Sequence, residues 1–271
     1  MSQATKTSPA PSLARLQDVG LMRGGCAAIQ GVSIELLNAQ ILAVLGPNGS
    51  GKSSLLRRLA GLESRSQGLG QFSFSGEADV TDLPAAMRAR RVAHVASDSR
   101  VDFPISVLES VALGAYSRNI TSQEAQECAH RALESLGLSS LSGRDLRTLS
   151  GGQMQAVALA RAAVQDAQVL LLDEALSKMD VDRQQEVAHW LRHWVRSGNR
   201  SVVWVSHDLN LAAANADRVL LLHRGGVVAE GEVISTLTEK NLEVLYPRGR
   251  FELQLSGPEA RPQIRFQRDQ K

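Results

Sequence analysis

Gly46-Pro47-Asn48-Gly49-Ser50-Gly51-Lys52-Ser53 decides how this 271-residue chain folds. The octapeptide fits G-x-x-x-x-G-K-[ST] at every fixed position, and its surroundings suit the motif. Ile41-Leu42-Ala43-Val44-Leu45 before it reads as a buried strand, and Ser54-Leu55-Leu56-Arg57-Arg58-Leu59 after it reads as a helix. Glycines let successive backbone amides curl around phosphate oxygens, and a helix N-terminus adds a field that favours negative charge. The stretch from Gly46 to Ser54 is therefore the expected nucleotide-binding segment. Lys52 would face the β- and γ-phosphates, and the Ser53 hydroxyl would ligate magnesium.

Working outward, apolar runs of the same kind recur at Val169-Leu170-Leu171-Leu172, Val202-Val203-Trp204-Val205 and Val219-Leu220-Leu221-Leu222. Short runs without alternation suit strands buried on both faces of a mainly parallel sheet. The runs that begin at Ile41, Val169 and Val202 are each followed by a turn and a helix-like stretch, so the chain reads as α/β, with functional residues at the carboxyl ends of strands. One of those ends carries Asp173-Glu174. An acidic pair closing a buried strand needs charge partners, which a nucleotide with its magnesium would supply. Asp173 would then hold the metal, and Glu174 would orient and activate the attacking water.

From about Asp98 to Thr148 the pattern changes. Thr121-Ser122-Gln123-Glu124 fits a capping box, Ala125, Cys128, Ala132, Leu133 and Leu136 follow at helical spacing, and Gly137 marks a stop. No strand candidate is visible, which predicts a helical insertion into the α/β domain. Residues 1–12 read as a disordered tail. The polar stretch Pro258 to Lys271 reads as loosely ordered, within a partly ordered extension over 248–271.

Composition sets the outer bounds. The chain is 43% hydrophobic and 21% charged, with a formal net charge of +2, too small to make nucleic acid its main ligand. No apolar run approaches the roughly 18 residues of a membrane span, and the N-terminus lacks a signal-peptide core, so the expectation is a cytoplasmic protein. Cys26 and Cys128 read as buried free thiols. His189 and His193 share a helix face without the other ligands of a zinc site. Arg88-Ala89-Arg90-Arg91 reads as a solvated helix end leading into a strand.

Three further motifs name a family. Leu149-Ser150-Gly151-Gly152-Gln153 resembles the signature of ABC ATPases, Val205-Ser206-His207-Asp208 resembles their switch histidine, and Asp180 matches the D-loop aspartate. Their order along the chain is also that of the family, and the resemblance spans about residues 13–247. It implies a P-loop NTPase core with an antiparallel β portion and an inserted helical subdomain at about 98–148. It also implies a head-to-tail homodimer that closes over two ATP molecules. Each ATP would lie between Lys52 of one subunit and Ser150, Gly151, Gly152 and Gln153 of the other, with a helix from Met154 to Ala163 behind them. His207 would join Glu174 in catalysis by contacting the γ-phosphate. The subunit would sit peripherally on the cytoplasmic face of the inner membrane, bound to an integral permease and served indirectly by a solute-binding protein.

Phe103-Pro104-Ile105-Ser106-Val107, Asp208-Leu209-Asn210-Leu211-Ala212-Ala213 and Leu237-Thr238-Glu239-Lys240-Asn241-Leu242-Glu243 are similar to importers of iron–siderophore, haem and cobalamin. Manganese and zinc importers share the first run and form the alternative. Nucleic-acid-directed ABC proteins usually carry two cassettes, and this chain has one. A low-turnover regulatory ABC protein is a further alternative, suggested by departures from the pattern. The Q-loop glutamine falls on Ser97, beside Asp98; Met22 and Arg23 stand where an adenine-stacking aromatic is expected. Ala175-Leu176 replaces Pro-Thr, Ala156 replaces an arginine, and Asn38-Ala39-Gln40 lacks a turn glycine.

Overall fold

The computed structural model describes residues 11–63, 68–74, 77–98, 101, 103–257 and 261–267. The chain opens with strands β1 (Ser12–Arg23) and β2 (Cys26–Leu37), then β3 (Ile41–Leu45), helix α1 (Lys52–Leu59) and β4 (Gly68–Phe74). Helix α2 (Ala85–Arg91) leads into β5 (Val92–Val95). Helices α3 (Val107–Ala112), α4 (Ser122–Ser135) and α5 (Gly151–Gln165) follow, with 3₁₀ turns between them. Next come β6 (Val169–Asp173), α6 (Val181–Arg196), β7 (Ser201–Val205), α7 (Leu209–Asn215) and the β8–β9 pair (Arg218–His223, Gly226–Glu232). Two short helices, α8 (Val233–Thr236) and α9 (Glu239–Leu245), precede the hairpin β10 (Arg250–Ser256) and β11 (Arg261–Gln267).

Six strands form the central sheet in the order β5-β6-β7-β3-β8-β9, parallel except for β9. Non-consecutive neighbours require crossover connections, and the helices that provide them cover the faces. The strand period of two divides each apolar run between two cores. Leu42 and Val44 pack with α1 and the antiparallel sheet β2-β1-β4, whereas Ile41, Ala43 and Leu45 pack on the side of α5, α6 and α7. Leu171 and the pair Leu170 and Leu172 divide in the same way. Each such run is apolar throughout because both of its faces are covered.

Between β5 and α5 the described residues form helices and 3₁₀ turns, joined by one bridge between Ser106 and Asp145. Helices α3, α4 and α5 all begin with a capping box: Ser106 with Glu109, Thr121 with Glu124, and Ser150 with Gln153. Each cap stabilises its helix by about 1 kcal/mol. Helix α4 buries Ala129, Ala132 and Leu133 and ends where Gly137 turns left-handed at φ 64°. The signature helix starts earlier than its sequence suggests. Ser150 caps it, so Gly151 and Gly152 lie inside its first turn rather than ahead of it.

Other readings shift as well. The tail assigned to residues 1–12 lies outside the described residues up to position 10, and Ser12 already pairs with Leu37. Cys26 is exposed and Cys128 half-buried, because Cys26 sits at the β1–β2 turn and Cys128 on the rim of α4. The end of the chain is more ordered than its polarity implies. Ile264 of β11 is buried, and the Asn210 side chain exchanges two hydrogen bonds with its backbone, at 2.7 and 3.0 Å. That amide does for β11 what another strand edge would do. Residues 258–260 and 268–271 of the polar stretch lie outside the described residues.

Candidate active site

Parallel strands β3, β6 and β7 are neighbours, so whatever follows their carboxyl ends is gathered at one edge of the sheet. The phosphate loop follows β3 and leads into α1. Gly46 has φ 152°, and a Cβ there would collide with the Leu222 carbonyl; Gly51 has φ 101°, with the Ala28 carbonyl 2.5 Å from its would-be Cβ. Only glycine fits either position.

Lys52 is 5% exposed, and its Nζ donates to the carbonyls of Gly46 and Pro47 at 2.8 and 3.0 Å. Burial lowers its pKa, against the opposing pull of the Glu174 and Asp173 carboxylates. Ser53 Oγ donates to Asp173 Oδ1 at 2.8 Å, which ties the loop directly to the end of β6. Ser50 Oγ is buried without a partner among the described residues. A hydroxyl oriented into an anion-binding loop is a group that a phosphate oxygen would satisfy.

Asp173 pairs in register with Val205, so the residues beyond these strands, Glu174 and His207, come together. His207 Nε2 lies 2.6 Å from Glu174 Oε1. Glu174 is also left-handed, at φ 54°. That conformation is strained by about 1–2 kcal/mol for a residue with a Cβ. The strain turns the carboxylate away from the strand direction and toward His207. Both groups line a cavity of about 220 Å³ with Ser177, Gln184 and Leu211.

The structure thus brings Lys52, Ser53, Asp173, Glu174 and His207 into one cluster. It places the other sequence candidates differently. Among the described residues, no hydrogen bond joins Ser150, Gly151, Gly152 or Gln153 to the phosphate loop. Those residues instead pack on the loop after Glu174, where a Cβ on Gly152 would lie 2.9 Å from the Lys178 carbonyl. Asp180 caps α6, accepting from the Arg183 amide at 2.8 Å.

Ser97 is held by its backbone. Its carbonyl accepts from Gln155 Nε2 at 3.2 Å and from Lys178 Nζ at 3.0 Å, while Lys178 also lies 3.8 Å from Asp98. Neither Gln155 nor Lys178 was singled out from sequence. Gln155 carried a signal, being a polar residue on the apolar face of α5 and only 1% exposed. Lys178 carried none, since a lysine in a polar loop is ordinary.

The departures at other positions also resolve. Arg23 bonds Glu63 at 2.9 Å, and that carboxylate is shared with Arg57. Met22 is part-exposed beside it. Ala156, Ala175 and Leu176 are buried in the apolar core on the side of α5. Ala39 makes the turn expected of glycine, at φ 56°.

The family model described as ABC transporter matches residues 29–177. A hemin import ATP-binding protein of Rhodopseudomonas palustris is 39% identical over 222 residues, covering 79% of this chain and 80% of the relative. A manganese transport system ATP-binding protein of Listeria monocytogenes is 32% identical over 225 residues, covering 81% of this chain and 90% of the relative. A solved metal-chelate type ABC transporter in an inward-facing conformation superposes with a TM-score of 0.79 at 28% identity, over 95% of this chain and 98% of that one.

Proposed function

This chain belongs to the ABC transporter family, and from that premise we propose that it hydrolyses Mg-ATP to drive import of a metal chelate such as haem through a separate permease. The observation that carries the chemistry is the convergence of Lys52, Ser53, Asp173, Glu174 and His207 at the ends of three adjacent parallel strands. The hemin-import relatives and the metal-chelate transporter support the solute class. The manganese-transport relative supports a bare cation as the second reading.

Hydrolysis follows from the groups in place. The Lys52 ammonium, now held on two loop carbonyls, is poised to neutralise the β- and γ-phosphates, while the loop amides bind their oxygens. Ser53 Oγ and Asp173 Oδ1 are hard oxygen donors side by side, which suits magnesium, and they are the residues that would hold it. The ion, when bound, supplies charge neutralisation on the phosphates. Glu174 accepts the proton of the water that attacks the γ-phosphorus. His207, which holds the carboxylate at 2.6 Å, would transfer that hydrogen bond to the γ-phosphate when ATP binds.

One element is missing from each chain's own site. The helix N-terminus at Ser150, with the Gly151 and Gly152 amides in its first turn, is an anion-binding surface that does not reach the phosphate loop of the same chain. A head-to-tail homodimer would supply it from a second copy. The permease would occupy the groove between α2 and the helical insert, on the cytoplasmic face of the membrane, with a solute-binding protein delivering the chelate. Among the described residues no helix is long and apolar enough to cross a membrane.

The test is a pair of variants. Glu174→Gln is expected to retain ATP binding, favour the closed dimer and slow turnover by about 10²–10⁴-fold. Mixing Lys52→Ala with Ser150→Arg protein should restore part of the activity, because each heterodimer then holds one intact composite site. Equal turnover in Glu174→Gln and wild type would remove the carboxylate from the mechanism. Absence of rescue between two folded, dimeric variants would remove the head-to-tail arrangement.

A further inference from the structure

His207 is the middle residue of the short joint between β7 and α7, so its place is set from both ends. The strand end is fixed: β7 lies between β6 and β3, and the Ser206 amide donates to the Val44 carbonyl at 3.3 Å. The helix end has less of its own to hold it. α7 has 7 residues, too few for intrahelical bonds alone to keep it formed and in place. Asp208 caps it, accepting from the Leu211 amide at 2.9 Å. Leu211, Ala212 and Ala213 are buried against the core, and alanines have little side chain to interlock with a neighbour.

The C-terminal hairpin grips this helix at both ends. In its first turn, Asn210 Oδ1 accepts from the Ile264 amide at 2.7 Å and Asn210 Nδ2 donates to the Ile264 carbonyl at 3.0 Å. Past its last turn, Arg261 Nη1 donates to the Ala216 carbonyl. Between the two grips, Ile264 is buried in the same core as Leu211, Ala212 and Ala213. The hairpin is anchored in turn. The Leu253 amide donates to Glu239 of α9 at 3.3 Å, and the Phe251 ring meets Tyr246 and Phe266 at 5.9 and 5.4 Å between centroids. Leu211, next to Asn210, lines the cavity that holds Glu174 and His207. A shift of α7 therefore moves His207 and a wall of that cavity together.

We propose that Asn210 is a positioning residue for ATP hydrolysis: by latching β11 to the first turn of α7, it sets His207 against Glu174. This role rests on the hydrolytic reading above and gives the C-terminal hairpin a part in it. The contact being set is the 2.6 Å approach of His207 Nε2 to Glu174 Oε1, and hydrogen bonds weaken once distance and angle leave a narrow window. Asn210 itself bonds β11 and acts only through His207. Its bonds use the outward-facing amide and carbonyl of Ile264, so the β10–β11 ladder survives their loss. Loss of the latch should then slow the chemical step and leave ATP binding alone.

Steady-state hydrolysis by the full chain tests this. Asn210→Leu keeps the bulk and removes both bonds, and it should lower kcat by about 3–10-fold at unchanged equilibrium affinity for ATP. Asn210→Asp keeps the acceptor for the Ile264 amide and should fall between Asn210→Leu and wild type; it is the second probe if Asn210→Leu does not fold. Arg261→Met frees the far end of α7 and should lose less than Asn210→Leu. Combination with His207→Ala decides the route, because a residue that acts only through His207 adds no further loss once His207 is gone. An unchanged kcat in Asn210→Leu, or an equal fold-loss with and without His207, overturns the positioning role while the hydrolytic reading stands. So does a fall in ATP affinity that matches the fall in kcat. A loss in Arg261→Met as large as that in Asn210→Leu would make the hairpin a general brace and overturn the assignment to Asn210. If His207→Ala alone turns over ATP like the wild type, the hydrolytic reading fails at His207, and the role of Asn210 falls with it.

Discussion

The phosphate edge of the sheet and the joint between the sheet and the helical insert are built on opposite terms. At the edge, polar groups satisfy one another within the chain: Lys52 on loop carbonyls, Ser53 on Asp173, His207 on Glu174. At the joint, Gln155 Oε1 and Ser117 Oγ are buried without hydrogen-bond partners among the described residues. A buried polar atom left unpaired costs about 1–3 kcal/mol. Apart from the Ser50 hydroxyl, the edge is therefore satisfied within the chain until ATP exchanges its internal bonds for bonds to phosphate.

The sharpest way to break that contrast is at the edge. Lys52→Ala removes the only ammonium held over the loop among the described residues and leaves the Asp173 and Glu174 carboxylates facing the phosphates unopposed. Loss of a buried charged hydrogen-bonding partner amounts to about 2–5 kcal/mol, so ATP affinity should fall by about 30-fold or more, measured by equilibrium titration. A retained affinity would mean that the loop amides suffice without the lysine.

An intermediate effect is expected where edge and joint meet. The Ser97 carbonyl is pinned by Gln155 from α5 and by Lys178 from the loop that follows Glu174. Lys178→Met removes one of those bonds and keeps the length of the side chain. One net hydrogen bond amounts to about 0.5–1.5 kcal/mol, so permease-stimulated kcat should drop by about 2–10-fold while KM for ATP stays put. Restoration by Lys178→Arg would identify the donated bond as the cause. A matching rise in KM would instead place Lys178 in nucleotide binding. Ser97→Gln is the complementary change. The backbone anchors remain, and the new amide can reach the site without a bridging water, so solute-stimulated hydrolysis should rise by a few-fold at unchanged nucleotide affinity. Unaltered stimulation would show that Ser97 is not a weakened sensor.

These two regions also differ in how much of them could be read from sequence. The edge was legible because its chemistry is local: an eight-residue loop, two acids closing a strand and a histidine closing another. The sheet was legible because four apolar runs covered on both faces have no other soluble explanation. β1, β2 and β4 were not called, because their bulged register blurs the alternation of buried and exposed residues on which a strand assignment rests. The C-terminal hairpin was missed for a different reason. Its order depends on Asn210 and on packing against α7, more than forty positions upstream, and no local pattern encodes that. The Ser97 anchors were likewise hidden, since a backbone carbonyl as the acceptor leaves no mark on residue type.

The smallest effect calibrates the strain at the phosphate edge. Glu174 and Ala39 share nearly the same left-handed backbone, at φ 54° and 56°. At Glu174 the carboxylate is hydrogen-bonded to His207, so replacing it would change chemistry and strain together. Ala39 offers the same strain without the chemistry. It lies ahead of β3, at the end of the sheet opposite the phosphate loop, and its amide donates to the Arg200 carbonyl at 2.9 Å, a bond glycine would keep. Relief of the Cβ clash contributes about 1–2 kcal/mol, and the greater freedom of glycine in the unfolded chain offsets about 0.5–1 kcal/mol of it. Ala39→Gly should therefore stabilise the protein by about 1.5 kcal/mol at most in a urea titration, with m and ATP turnover both unchanged. A gain of that size would give the strain at Glu174 a measured scale and mark it as tolerated for the position of the carboxylate. A loss on Ala39→Gly would show that the left-handed turn is relaxed by its surroundings, and the φ of Glu174 could then no longer be read as stored strain.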